Sequence, residues 1–90
     1  MSILNHLDEV IEEFDTEFTT HKFILVLAKN NQREYIESLS EQNGEQPFKD
    51  LHSRIGNALS THPSVETNKT IKSENIFGIS SQSPVWVRIN

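Results

Sequence analysis

The second half of the chain fixes an order of elements. Phe48, Leu51, Ile55 and Leu59, with Ala58 beside them, recur at steps of three and four, which places them on one helical stripe. Pro47 suits the first turn of that helix, where its missing N–H costs nothing, and Pro63 stops it just after His62. A helix is therefore expected over residues 47–62. The pattern then switches to a period of two. Val65, Thr67, Lys69 and Ile71 alternate with Glu66, Asn68, Thr70 and Lys72, and Val85, Val87 and Ile89 alternate with Trp86 and Arg88. Strands are expected over 65–71 and 85–89, able to pair antiparallel. Ser73-Glu74-Asn75 and Ser80-Ser81-Gln82-Ser83-Pro84 read as turns between them. The apolar island Ile76-Phe77-Gly78-Ile79 inside that connection is expected to fold back onto the core, because exposing it costs solubility. Trp86, on the strand face opposite Val85 and Val87, is expected to form a small cluster with Phe77 in preference to an exposed contact. Gly56 weakens its helix by roughly 0.5–1 kcal/mol relative to alanine, which points to a close helix crossing or a close ligand backbone.

The first half reads as helical. Ser2 is a suitable N-cap, and Ile3, Leu7, Val10, Ile11 and Phe14 form one stripe, predicting a helix over 3–14 that ends at Asp15 and Thr16. Phe18 is expected to pin the following linker to the core. Thr19 or Thr20 can cap a second helix through Phe23, Ile24, Leu27 and Ala28. The block from Phe23 to Leu27 is apolar all round, a pattern that periodicity does not separate from a buried strand. The threonine caps, the helix formers Ala28 and Lys29, and the spacing of Tyr35, Ile36 and Leu39 favour helix. Asn30 and Asn31 leave two forms open. Either the helix breaks there, with Asn31 capping its successor, or one bent helix spans about 20–41. Residues 41–46 contain Asn43-Gly44, a turn signal, and read as a loop.

Ninety residues correspond to a single domain over 1–90 with little room for a separate catalytic lobe, and an apolar share of 34% implies an economical or shared core. No apolar run approaches the ~18 residues of a membrane span, and no basic region precedes an apolar segment at the start. The absence of cysteine excludes disulfides and thiol chemistry and fits a cytoplasmic protein. The net charge of −5 is unevenly placed. Asp8, Glu9, Glu12, Glu13, Asp15 and Glu17 carry −6 before any Lys or Arg occurs, whereas residues 18–90 hold eight basic and seven acidic side chains, a balance of +1. Such a run forms a solvated face, repels nucleic acid, or docks on a basic partner.

No catalytic constellation is visible. His6, His21, His52 and His62 lack the i, i+3 or i+4 spacing of a helical metal site, so they read as surface or capping groups. No G-x-S-x-G exists, and Ser80, Ser81 and Ser83 have no histidine nearby in sequence. Glu12 and Glu13 are adjacent on a solvated helix, with no evident cause for a shifted pKa. Gly44, Gly56 and Gly78 do not form a phosphate loop. Neither an enzyme, a metal nor a cofactor is expected.

The helix over 47–62 is the best functional candidate. With its apolar stripe buried, Lys49, Ser53, Asn57 and Ser60 share the exposed face, with Arg54 beside it. Lys, Arg and Ser contact phosphates, and Asn and Arg read base edges. Lys69, Lys72 and Arg88 could add backbone contacts. The order of helices, strand, turn and strand over roughly 3–89 resembles the winged helix-turn-helix superfamily. That resemblance implies a mainly α fold of three to four helices followed by a small antiparallel β-hairpin. Residues 47–62 would be its recognition helix and 67–88 its wing. It implies a DNA-binding regulator acting through Lys49, Ser53, Arg54, Asn57, Lys69, Lys72 and Arg88, with double-stranded DNA as partner. A homodimer is expected because the first helix and the Phe23–Leu27 block can pack on a second copy and because a −5 monomer binds phosphates poorly. The chain departs from that pattern in its negative charge, since duplex affinity comes largely from phosphate neutralisation. The rival expectation is a protein-interaction module docking through the acidic helix over 3–14, without nucleic acid and without a membrane.

Overall fold

The computed structural model describes residues 2–89 as four α-helices and a three-stranded antiparallel sheet. The chain starts with a 3-10 segment, Ser2–His6, that runs into a short helix α1, Leu7–Ile11. The single helix expected over 3–14 is therefore tighter at its start and shorter at its end. Ser2 lies within the 3-10 segment, and the residue capping α1 is His6, which makes no side-chain cap bond. Tertiary contacts explain both changes. The Ile3 N–H donates to the buried Ser38 Oγ at 3.2 Å, which ties the first turn to a later helix. At the other end, Phe14 leaves the helix to stack on Phe18, with ring centroids 4.6 Å apart.

Phe18 is buried as expected, but it lies in a strand that periodicity did not reveal: β1, Glu17–Thr19. Three residues are too few to show alternation. The partner of β1 is the last strand of the chain. Helix α2, Thr20–Asn30, is capped by Thr19, whose Oγ1 accepts from the Lys22 N–H at 3.1 Å. Phe23, Ile24 and Leu27 are buried, so the all-apolar block is helical. The chain then breaks at Asn31 (φ −135°, ψ 56°) and starts again as α3, Gln32–Ser40. Two helices therefore occupy the segment. Asn31 is the N-cap residue of the second, but its side chain makes no cap bond there. Its Nδ2 donates back to the Leu27 carbonyl at 3.2 Å and so closes the first.

Helix α4, Pro47–Ser60, begins at its proline and ends two residues before the expected stop. Leu51, Ile55 and Leu59 are fully buried. Phe48 departs from the expected stripe: it is 40% exposed, because the first turn of α4 overhangs the core edge. Gly56 is not a point of close approach. A Cβ built there meets nothing nearer than Thr20 Cγ2 at 4.0 Å, an ordinary contact.

Strands β2, Val65–Glu74, and β3, Ser80–Arg88, are both longer than alternation indicated. Sheet order is β1-β3-β2, with Glu17 opposite Val87 on one side of β3 and Glu66 opposite Val87 on the other. The serine-rich segment expected to be a turn belongs to β3. Pairing with β2 overrides its weak propensity, from Glu74–Ser80 through Thr70–Pro84. β1 reaches only to Val85, so Pro84 stands where β3 has one neighbour, a position that tolerates a missing donor. A register shift between Thr67 and Lys69 bends the hairpin.

The hairpin tip is built by Asn75. Its Oδ1 accepts from the Phe77 N–H at 2.9 Å and the Ile79 N–H at 3.1 Å, and Gly78 adopts the positive φ of 77° that the turn needs. The apolar island there does not fold back as a unit. Ile76 packs on the core, but Phe77 and Ile79 are 54% and 62% exposed. Trp86 is likewise not clustered with Phe77. It is buried in the main core, and its Nε1–H donates to Thr20 Oγ1 at 2.7 Å. Among the described residues, no helix is long and apolar enough to cross a membrane.

Candidate functional site

Burial of Leu51, Ile55 and Leu59 turns Lys49, Ser53, Asn57 and Ser60 outward on α4, and all four are exposed. On one flank, this face borders the hairpin. Ser53, Gly56, Asn57 and Ser60 line a groove against Thr67, Pro84 and Trp86. Nearer the start of α4, Lys49, His52 and Ser53 line a second groove with Thr20, His21 and Gln82. Arg54 points to the other flank. Its Nε–H donates to Gln42 Oε1 at 3.2 Å, in a groove shared with Glu41, Asn43 and Asp50.

Lys69 and Arg88 are not brought to this face. Lys69 lies over a cleft lined by Phe14, Glu17, Phe18 and Lys22, and its Nζ is 3.9 Å from Glu17 Oε2. That pair is half exposed, so it contributes little to stability. Lys72 is exposed on β2 opposite Gln82. Arg88 is partly buried, donates from Nη1 to the Phe14 carbonyl at 3.0 Å, and lines a cleft with Asp8, Glu12 and His62. It clamps the linker after α1 to the sheet. Of the acidic run, Asp8 and Glu12 stand beside the C-terminal end of α4, where His62 Nε2 donates to Asp8 Oδ1 at 2.5 Å and its Nδ1 accepts from the Ser64 N–H at 3.1 Å, whereas Glu13 accepts from Asn30 Nδ2 at the end of α2. Lys49 stands near the opposite end of this 14-residue helix, roughly 20 Å long at 1.5 Å per residue.

Two contacts join residues that are distant in sequence. His21 places Nδ1 2.8 Å from Ser73 Oγ and Nε2 3.4 Å from Ser81 Oγ, while its backbone N–H donates to Ser83 Oγ at 3.3 Å. His52 Nε2 is 2.6 Å from Tyr35 Oη. Burial raises the Tyr35 pKa, and burial followed by the proximity of His21 lowers that of His52. Both groups are thus favoured in their neutral forms, and the tyrosine O–H donates to the imidazole. Beside this pair, Phe48 and Phe77 meet edge to face at 5.0 Å and leave an exposed aromatic patch. No local signal marks these contacts, because the partners come from α2, α3, α4 and the hairpin. Among the described residues, no group of three or more His, Asp or Glu side chains is arranged to hold a metal ion.

Comparison with protein-family models, curated proteins and solved structures finds no match to this chain.

Proposed function

We propose that this chain is a winged-helix-type regulator that binds double-stranded DNA, most simply as a homodimer, with α4 in the major groove. The observation that carries this reading is the exposed Lys49-Ser53-Asn57-Ser60 face, standing beside the long β2–β3 hairpin, with the carboxylates Asp8 and Glu12 only at the far end of α4. A major groove about 12 Å wide admits one helix. The strand order β1-β3-β2, with a helix before β1 and helices between β1 and β2, is consistent with the winged-helix arrangement. Lys49 and Arg54 would contact phosphates, Ser53 and Asn57 base edges, and Lys72 on the hairpin the flanking backbone. Lys69 and Arg88 have structural partners and face elsewhere, so their expected roles are weaker. The lack of cysteine fits action in the reducing cytoplasm.

The test is binding to a mixed-sequence duplex by fluorescence anisotropy at low and moderate salt, with light scattering for the assembly. Binding should weaken steeply with salt. Lys49→Ala combined with Arg54→Ala should abolish it at moderate salt and reduce the salt slope by about 2. No binding at low salt, where electrostatic attraction is strongest, would overturn the reading. Intact affinity in the double variant would overturn the assigned face.

A second reading is a protein-interaction module without nucleic-acid binding. α1 buries Leu7, Val10 and Ile11 and so presents Glu9, Glu12 and Glu13 to solvent. It predicts a partner that is lost when these three are changed to Gln.

A further inference from the structure

Charge composition separates one groove from the others. The grooves beside Arg54, Lys69 and Arg88 each carry carboxylates: Glu41 and Asp50, Glu17, and Asp8 and Glu12 respectively. The groove between α2, the start of α4 and the hairpin carries Lys49, His21 and His52 and no carboxylate. Ser53 and Gln82 add neutral polar groups to its wall. Its volume of about 230 Å³ admits a tetrahedral oxyanion together with several waters.

The two imidazoles suit an anion. Each ring nitrogen of His21 faces a serine hydroxyl, Ser73 or Ser81, and a hydroxyl donates or accepts by rotation. Both ring nitrogens of His21 are therefore already engaged, which holds the ring in the groove wall. His52 has Tyr35 at Nε2, and its Nδ1 has no hydrogen-bond partner among the described residues. Positive charge on His21 disfavours charge on His52, in addition to the cost of burial. An anion seated between them removes that repulsion. The groups facing this space are His21 from α2, Lys49 and His52 from α4, and Tyr35 from α3 behind His52. From the hairpin come only Asn75, Gln82 and serine hydroxyls. Asp50 lines the Arg54 groove, and Glu74, paired with Ser80, is not among the residues that line this one.

We propose that this groove binds a phosphate group, with Lys49 as its cation and the Nδ1–H of His52, the imidazole donor that Tyr35 leaves free, as its hydrogen-bond partner. The inference goes beyond duplex binding, because a free phosphate fills the groove as well as a backbone phosphate does.

The experiment follows the histidine ring signals by NMR while inorganic phosphate is added at constant ionic strength. His21 and His52 should shift saturably, while His6 and His62 stay in place. Exposed Lys49 can be changed without loss of fold, and Lys49→Gln should weaken the effect about tenfold, the value of a charged hydrogen bond. Absence of a saturable shift, or a shift unchanged in Lys49→Gln, overturns the site. The duplex then identifies the source. If duplex displaces phosphate, a backbone phosphate occupies the groove; if duplex binds and phosphate stays, the groove serves a free phosphate. Duplex binding without phosphate binding sinks this site and leaves the α4 reading standing; phosphate binding without duplex binding does the reverse.

Discussion

Replacing Gly56 by alanine tests whether the glycine serves packing or is merely tolerated. Glycine within a helix loses more backbone entropy on folding than alanine, a difference of roughly 0.5–1 kcal/mol. The added methyl group meets only Thr20 Cγ2, at 4.0 Å, so no steric cost offsets this gain. The backbone is helical at this position, with no positive φ to protect. Gly56→Ala should therefore stabilise the fold by about 0.5–1 kcal/mol. For a domain of this size that raises Tm by roughly 2–8 °C. Thermal unfolding by circular dichroism, paired with urea titration, measures both quantities. A lower Tm, or a lower urea midpoint at unchanged slope, would refute the reasoning and show that α4 needs an unhindered backbone here. The same variant reports on function. Gly56 lines the groove between α4 and the hairpin, so weakened duplex binding in a more stable protein would place the nucleic acid against this turn.

Two further perturbations bear on stability. Trp86→Phe removes the buried bond to Thr20 Oγ1 and should cost about 1–3 kcal/mol, seen as a lower urea midpoint; adding Thr20→Val should recover part of this, and full additivity would show that the pair is not coupled. The lowered pKa of His52 sets a direction with pH. The unfolded chain binds its proton more readily, so this contribution is complete above the unfolded value near 6.5 and is lost as pH falls through the folded one. Urea midpoints at pH 7.5 and 5.5 should differ less in His52→Gln than in the parent, and an unchanged difference would remove His52 from the account.

Helices with a strong stripe or a clear cap were legible from the chain. Leu51, Ile55 and Leu59 define α4, and the Thr19 cap defines the start of α2, because spacing and capping are local properties. The exposed face of α4 follows from the same stripe. Phe48 fits the spacing but stands beyond the core edge, and spacing carries no information about where a core ends. β1 and the serine-rich half of β3 were not legible, since short or polar strands owe their form to partners far along the chain. The acidic run was visible as composition, but the seat of Asp8 beside the end of α4 depends on its contact with His62.

By itself, the sequence determined the helical stripes, the hairpin, the uneven charge and the absence of thiol chemistry, all of which depend on neighbours a few residues apart. Tertiary structure alone decided the third strand, the burial of Trp86 against Thr20, and the gathering of His21, Lys49 and His52 in a groove without carboxylates. Each of these joins distant segments. Their energies come from desolvation, pairing and charge proximity, which exist only once the segments have met.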